Sequence, residues 1–199
     1  MKYFYRRGGE EVKKTAVIYK SKYGHTRKYA AWIAEILGSD LFEESEISRN
    51  GLAGYSTIIY GGGLYASGIN GISLITKNFD SIKDKNLIVF TVGLASPADT
   101  SIYRPIIEKN IPEEMRNSIR FFHLRGGIDY SELNMMHKGM MAMLKKMVEK
   151  KKEEEMTEED KQMLATYGDQ VDFSDRKSIE PLLEYVLEMK KGEGSTDES

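Results

Sequence analysis

Between Tyr19 and Lys28 the chain reads "YKSKYGHTRK", which sets hydroxyls, cations, a histidine and a glycine between an apolar run and a helical pattern. Ser21 and Thr26 can donate hydroxyl hydrogen bonds, Lys22, His25 and Arg27 can supply positive charge, and Gly24 beside Tyr23 permits a tight bend. A turn from a strand into a helix also presents free backbone N–H groups and the positive end of the helix dipole. Together these features suit an anion such as phosphate. A plain polar turn with Thr26 as N-cap accounts for part of the same run, and both readings stand at this point. The GxxxxGK[ST] pattern of an ATP-binding loop is missing, so nucleoside triphosphate hydrolysis has little support.

Two further segments have the composition of a ligand wall. "IIYGGGLYASGING", Ile58 to Gly71, carries consecutive glycines that let backbone approach a flat ring and a tyrosine that can stack on one. From it Gly63, Leu64, Tyr65, Ala66 and Gly68 are candidate binding residues. "VGLASPADTS" adds Gly93, Leu94, Ala95 and Ser96. Gly61, Gly63 and Ala66 also satisfy the dinucleotide fingerprint G-x-G-x-x-A. They follow the third strand-like run rather than the first, and Ser67 to Gly71 is too rich in glycine to open the required helix, so that reading is rejected. His25, His123 and His137 match no metal spacing, and no side chain stands out as a catalytic acid, base or nucleophile.

The elements that must position these residues are legible as apolar runs. "TAVIY" at 15–19, "STIIYGG" at 56–62 and "NLIVFTVG" at 86–93 are continuous rather than alternating, as strands covered on both faces are, and "IRFFHL" at 119–124 adds another. "DLFEES" near 40 reads as an edge strand. Helical spacing appears at Ala30, Ile33, Ala34 and Leu37 with a stop at Gly38, then at Ile72, Ile75 and Phe79, at Ile102, Ile106 and Ile107, and from Ile179 to Leu187 after a cap at Ser178 or Asp175. Strand and helix alternate, which predicts an α/β fold: a doubly wound, five-stranded parallel sheet in the order 2-1-3-4-5, with the ligand at the carboxyl ends of the strands. The three candidate loops follow strands one, three and four, around the switch point of that order. One segment breaks the alternation. Residues 131–166 insert a charged helical stretch before the last helix, and six of the 11 methionines fall between 135 and 147. Met136, Met140, Met143, Leu144, Met147 and Val148 share one helical stripe, which predicts packing on the domain or in a homodimer. Residues 135–152, with their lysines, also offer a peripheral membrane contact.

Composition bounds the rest. The 199 residues carry a net charge of −2 and no cysteine, so nucleic acid is not an expected partner, thiol and iron–sulfur chemistry is excluded, and any redox chemistry must rest on a bound cofactor. The chain lacks the roughly 20-residue apolar run of a spanning helix, and the reading is cytoplasmic. Residues 1–11 are expected to be a disordered leader and 191–199 a disordered tail, leaving a domain over 12–190. "RRGGEEV" reads as a translated purine-rich ribosome-binding site, with Val12 the expected native start; N-terminal sequencing from the source tests this.

"SKYGHT" resembles the phosphate loop of flavodoxins, [ST]-x-[TSY]-G-x-T, in its expected place after a first buried strand and before a helix. The resemblance runs from Val12 to about Lys190. It implies FMN as cofactor, with its phosphate in this loop and its ring between the other two, and electron transfer with a redox partner protein or a quinone. "LRGGIDYSELNMMHKGMMAMLKKM" and "TYGDQVDFSDRKSIEPLLEYV" look like the branch that includes flavodoxin-type menaquinone-dependent protoporphyrinogen dehydrogenases, which implies protoporphyrinogen IX oxidation as an alternative. A flavin-free protein-interaction module is the reading from a different class.

Overall fold

The computed structural model describes residues 14–194; the expected leader 1–11 lies outside them. Five strands form the parallel sheet: β1 (Thr15–Lys20), β2 (Asp40–Glu43), β3 (Thr57–Tyr65), β5 (Asn86–Gly93) and β6 (Ile119–Arg125), in the order β2-β1-β3-β5-β6. A two-residue strand β4 (Gly68–Ile69) folds back antiparallel on β3. Counted without β4, this is the predicted order, and the switch point lies between β1 and β3.

Each apolar run divides by parity between two cores. Ala16, Ile18, Ile58, Tyr60, Leu87 and Val89 face one side of the sheet, while Val17, Ile59, Ile88 and Phe90 face the other. Period-two alternation inside a continuous hydrophobic run is how a strand covered on both faces supplies two layers at once. On the second face lie helix α1 (His25–Leu37), through Tyr29 and Ile33, and the last helix α9 (Glu180–Gly194), through Leu182 and Val186. Asp175, not Ser178, makes the cap before that last helix, accepting the Lys177 N–H at the start of a short 3-10 turn. Residues 191–194, expected in the tail, continue α9; 195–199 lie outside the described residues.

The first face is covered by shorter pieces: α2 (Arg49–Ala53), α3 (Ser73–Thr76), α4 (Phe79–Ile82), α5 (Thr100–Asn110) and α6 (Glu113–Arg116). The single helix expected over Ile72 to Phe79 is broken at Asn78, whose side-chain amide donates to the Leu74 carbonyl. Such local side-chain bonding competes with the helical ladder. The insertion holds α7 (Met135–Glu149) and α8 (Glu158–Ala165), and its ends are pinned by a small antiparallel pair that the sequence did not announce, β7 (Gly127–Asp129) with β8 (Gln170–Asp172). Among the described residues no helix is long and apolar enough to cross a membrane.

Gly61 to Gly63 are not a loop. They lie inside β3, and a Cβ on Gly61 would sit 2.1 Å from the Phe90 ring. The close approach that Gly61 permits here serves core packing against Phe90, and the strand runs through Gly63 to Tyr65, past the expected end at Gly62.

Candidate functional site

A cavity of about 260 Å³ opens where β1, β3, β5 and β6 end. Tyr23, His25 and Thr26 reach it from the turn after β1, Leu64, Tyr65 and Ala66 from the end of β3, and Gly93, Leu94 and Ala95 from the end of β5. Of the remaining candidates, Ser21, Lys22 and Gly24 belong to the same first turn, Ser96 follows Ala95, Gly63 stays in its strand and Gly68 opens β4; none of these six lines the cavity.

The first turn is built around Gly24, whose φ of 87° is a conformation that side-chain-bearing residues rarely adopt. Ser21 Oγ accepts the Gly24 N–H at 3.1 Å. Gly24 is the N-cap of α1, so the expected capping role of Thr26 is corrected: Thr26 lies within the first turn of the helix, buried, and faces the cavity. His25 is engaged elsewhere. Its Nδ1 lies 3.2 Å from Ser174 Oγ and 3.3 Å from Asp172 Oδ1, while Lys28 Nζ donates to Asp172 Oδ2 at 2.8 Å. Burial works against ionisation of Asp172, but hydrogen bonds from Lys28 and Ser174 and the nearness of His25 hold its carboxyl well below the usual carboxylate range. His25 and Lys28 thus already share a carboxylate partner, and Lys22 and Arg27 remain exposed.

Three rings close the cavity's mouth. Tyr65 stacks on His137 of α7 with centroids 5.4 Å apart and planes 9° from parallel, and Tyr23 meets both edge-on. The Tyr23 hydroxyl and His137 Nδ1 are 2.7 Å apart. Burial, with Tyr23 adding to it, pushes the Tyr65 hydroxyl up to about 12, and hydrogen bonding from the backbone N–H groups of Lys22 and Tyr23 acts against that rise. Burial and the nearby Lys22 ammonium lower the pKa of His137. Ala66 and Ser67, at the tip between β3 and β4, have φ of 49° and 61°, so the Tyr65 ring is carried on a strained two-residue turn.

Behind the β5 loop sits His123, 6% exposed, with its ring 4.5 Å from that of Tyr103. Its Nε2 lies 3.2 Å from the Ala95 carbonyl and its Nδ1 2.8 Å from Thr91 Oγ1. A neutral ring with its proton on Nε2 satisfies both contacts. Burial lowers its pKa to about 4, against an opposing effect of the Ala95 bond. This histidine fixes the backbone that lines one side of the cavity.

The sequence did not single out the roof. Leu133, His137, Met140 and Met141 come from the insertion, and Gly126, Gly127 and Ile128 from the strand end beneath it. The glycine pair was the available signal: a Cβ on Gly127 would lie 2.3 Å from the Val171 carbonyl and 2.6 Å from the His25 ring, so only glycine lets β8 and His25 close in there. On the domain itself the methionine stripe is covered only in part, with Met140 lining the cavity. α7 buries only His137 and Val148, while Met136, Met143 and Met147 are 62%, 62% and 59% exposed.

Comparison with known families matches residues 16–155 to a flavodoxin domain. Among solved structures, the chain is similar to a flavodoxin from the domain Archaea, at 13% identity and a TM-score of 0.36, covering 57% of this chain and 85% of that one. It is also similar to the Flv1 flavodiiron core from Synechocystis sp. PCC6803 (15% identity, TM-score 0.40, 57% of this chain and 30% of that one). A flavodoxin, WrbA-like protein from Agrobacterium tumefaciens gives 22% identity and a TM-score of 0.34 over 53% of this chain and 71% of its own. The chain thus spans less than a third of the flavodiiron core. Comparison with curated proteins gave no match.

Proposed function

The chain belongs to the flavodoxin-domain family, and from that premise we propose that it is a redox protein that binds FMN without a covalent bond. The observation that carries this reading is the cavity at the ends of β1, β3, β5 and β6, apolar on its walls and provided with hydrogen-bond donors at its edge. Leu64, Leu94, Ile102 and Ile106 suit a flat ring, with Tyr65 available to stack on it. The hydroxyls of Ser21 and Thr26, the N–H groups of Lys22 and Tyr23 and the Lys22 ammonium suit a phosphate. His123 holds the β5 loop, which would line the ring's other side, and α7 would cover the chamber. FMN supplies the one- and two-electron chemistry that no side chain of this cysteine-free protein offers. A redox partner protein or a quinone is the proposed exchange partner.

The test is direct. Purified protein should be yellow, and acid denaturation should release a compound that chromatographs as FMN. Colourless protein that also fails to bind added FMN would overturn the reading. The roof of Leu133, His137, Met140 and Met141 favours a second reading, an enzyme of the protoporphyrinogen dehydrogenase type, because an electron carrier has less need of a covered ring. Oxidation of protoporphyrinogen IX with menadione as acceptor tests it, and absence of turnover by flavin-loaded protein removes it.

A further inference from the structure

Beside the first chamber lies a second cavity of about 370 Å³, built jointly by the flavodoxin elements and the insertion. Its volume falls in the range of small-molecule sites. Leu94, Ile102 and Ile128 line both cavities, so three apolar side chains form the wall between them. The remaining surface is largely apolar, with Val148 of α7, Met163 of α8 and the rings of Tyr130 and Phe173.

Two cations line this space, Lys151 and Arg125, and only Arg125 has no carboxylate partner among the described residues. Arg125 Nε donates to the Leu94 carbonyl at 2.9 Å, Nη2 donates to Gln162 Oε1 at 2.7 Å, and the guanidinium lies 3.9 Å from the centroid of Phe173. These partners are all neutral, and among the described residues no carboxylate forms an ion pair with it. The acidic groups around the cavity are already answered: Asp160 by Lys151 at 2.7 Å, Glu159 by the Ser96 N–H at 2.9 Å, and Asp99 by the Ser101 N–H at 3.1 Å. A partly buried guanidinium without a counter-ion in an apolar chamber calls for an anionic head on an apolar body.

We propose that this cavity is a second ligand site, taking a small ring-bearing monocarboxylate whose carboxylate meets Arg125 and whose ring lies among Phe173, Ile128 and Val148. Asp99, Glu159 and Asp160 at the margin favour a single negative charge over a doubly charged phosphate. That the ligand sits next to a flavin rests on the FMN reading; the cavity and its unpaired arginine do not.

Calorimetric titration of the full chain with 2-naphthoate, and with neutral 2-naphthylmethanol as control, tests the assignment. Naphthoate should bind one to one and at least tenfold more tightly than the alcohol. Arg125→Gln should weaken naphthoate at least tenfold and leave the alcohol unchanged. Because Arg125 also holds Leu94 and Gln162, Met163→Trp is the second variant: it fills the chamber from α8 while keeping the arginine, and should abolish binding of both probes. Equal affinity of the parent for the two probes, or full naphthoate affinity in either folded variant, overturns the site. Protein that binds naphthoate but no FMN sinks the flavin reading alone, and FMN-loaded protein that ignores naphthoate sinks this one alone.

Discussion

The two walls of the first cavity are made differently. The sheet-edge wall consists of loops that leave strands whose inner residues, Val17, Ile59 and Phe90 among them, are fully buried. The opposite wall, α7, rests on the domain through little more than His137 and Val148 and turns Met136, Met143 and Met147 to solvent. A wall that must hold a ring in one place is thus supplied by the fold, and a wall that can yield is supplied by an insertion of flexible thioethers.

The largest expected effect tests the rigid side. Phe90→Ala removes a ring that is 0% exposed and packs against Gly61, and should cost about 3 to 5 kcal/mol in urea unfolding. A loss below about 1 kcal/mol would mean that the sheet-edge wall is as adaptable as α7.

His123 comes next, because its neutral form is what the rigid wall requires. With a folded pKa near 4 against an ordinary 6.5, the unfolded chain binds the extra proton between these values. Stability is fully present above pH 6.5 and falls by roughly 3 kcal/mol on the way to pH 4. His137 titrates in the same direction, so the measurement is the difference in acid unfolding between the parent and His123→Phe, whose curve should be flatter over this window. Identical slopes would show that His123 is not the buried neutral group described.

The strands are legible in the sequence because each is an apolar run long enough to be covered on both faces, and the first turn is legible because its residue types and its place before a helix coincide. The roof is not. β7 and β8 are three residues each and pair Gly127 with Asp172 across the whole insertion, a non-local match with no periodic signature. The α7 stripe has the spacing of a buried face, yet spacing records only which residues share a side of the helix, and on this domain Val148 is covered while Met136, Met143 and Met147 are exposed. His137 falls between Leu144 and Val148 around the helix, on the side that α7 does bury, and a lone histidine has no pattern to be read.

A smaller effect is expected at the turn. If Ser21 and Thr26 hold a phosphate, replacing both with alanine should weaken FMN binding by roughly a hundredfold, about 2.7 kcal/mol. Thermal stability should also fall, by about 1 kcal/mol, because Ser21 Oγ accepts the Gly24 N–H and Thr26 is buried, so the fold must be checked beside the titration. Unchanged FMN affinity in a folded double mutant would place the phosphate elsewhere.

Tyr23→Phe breaks a hydroxyl contact, 2.7 Å long, that ties the first turn to α7, and should cost about 0.5 to 1.5 kcal/mol in thermal unfolding. Hydrogen exchange in α7 should rise while exchange in β5 stays the same; faster exchange in both would join the two walls into one unit. The smallest effect belongs to the exposed methionines. Met136→Ser with Met143→Ser should change stability by no more than about 0.5 kcal/mol, and a larger loss would show that the stripe is covered in solution.

The second face of the sheet has a history as well as a composition. α1 is made directly after Val17 and is already present when Ile59 emerges, but Ile179, Leu182 and Val186, which complete the layer over Phe90, follow the entire insertion. At about 5 to 20 residues per second, a ribosome needs on the order of 3 to 12 seconds to pass from β6 to that helix. For that interval a parallel sheet stands half open on one side, and a chaperone or a neighbouring nascent chain can reach it before the protein's own last helix does.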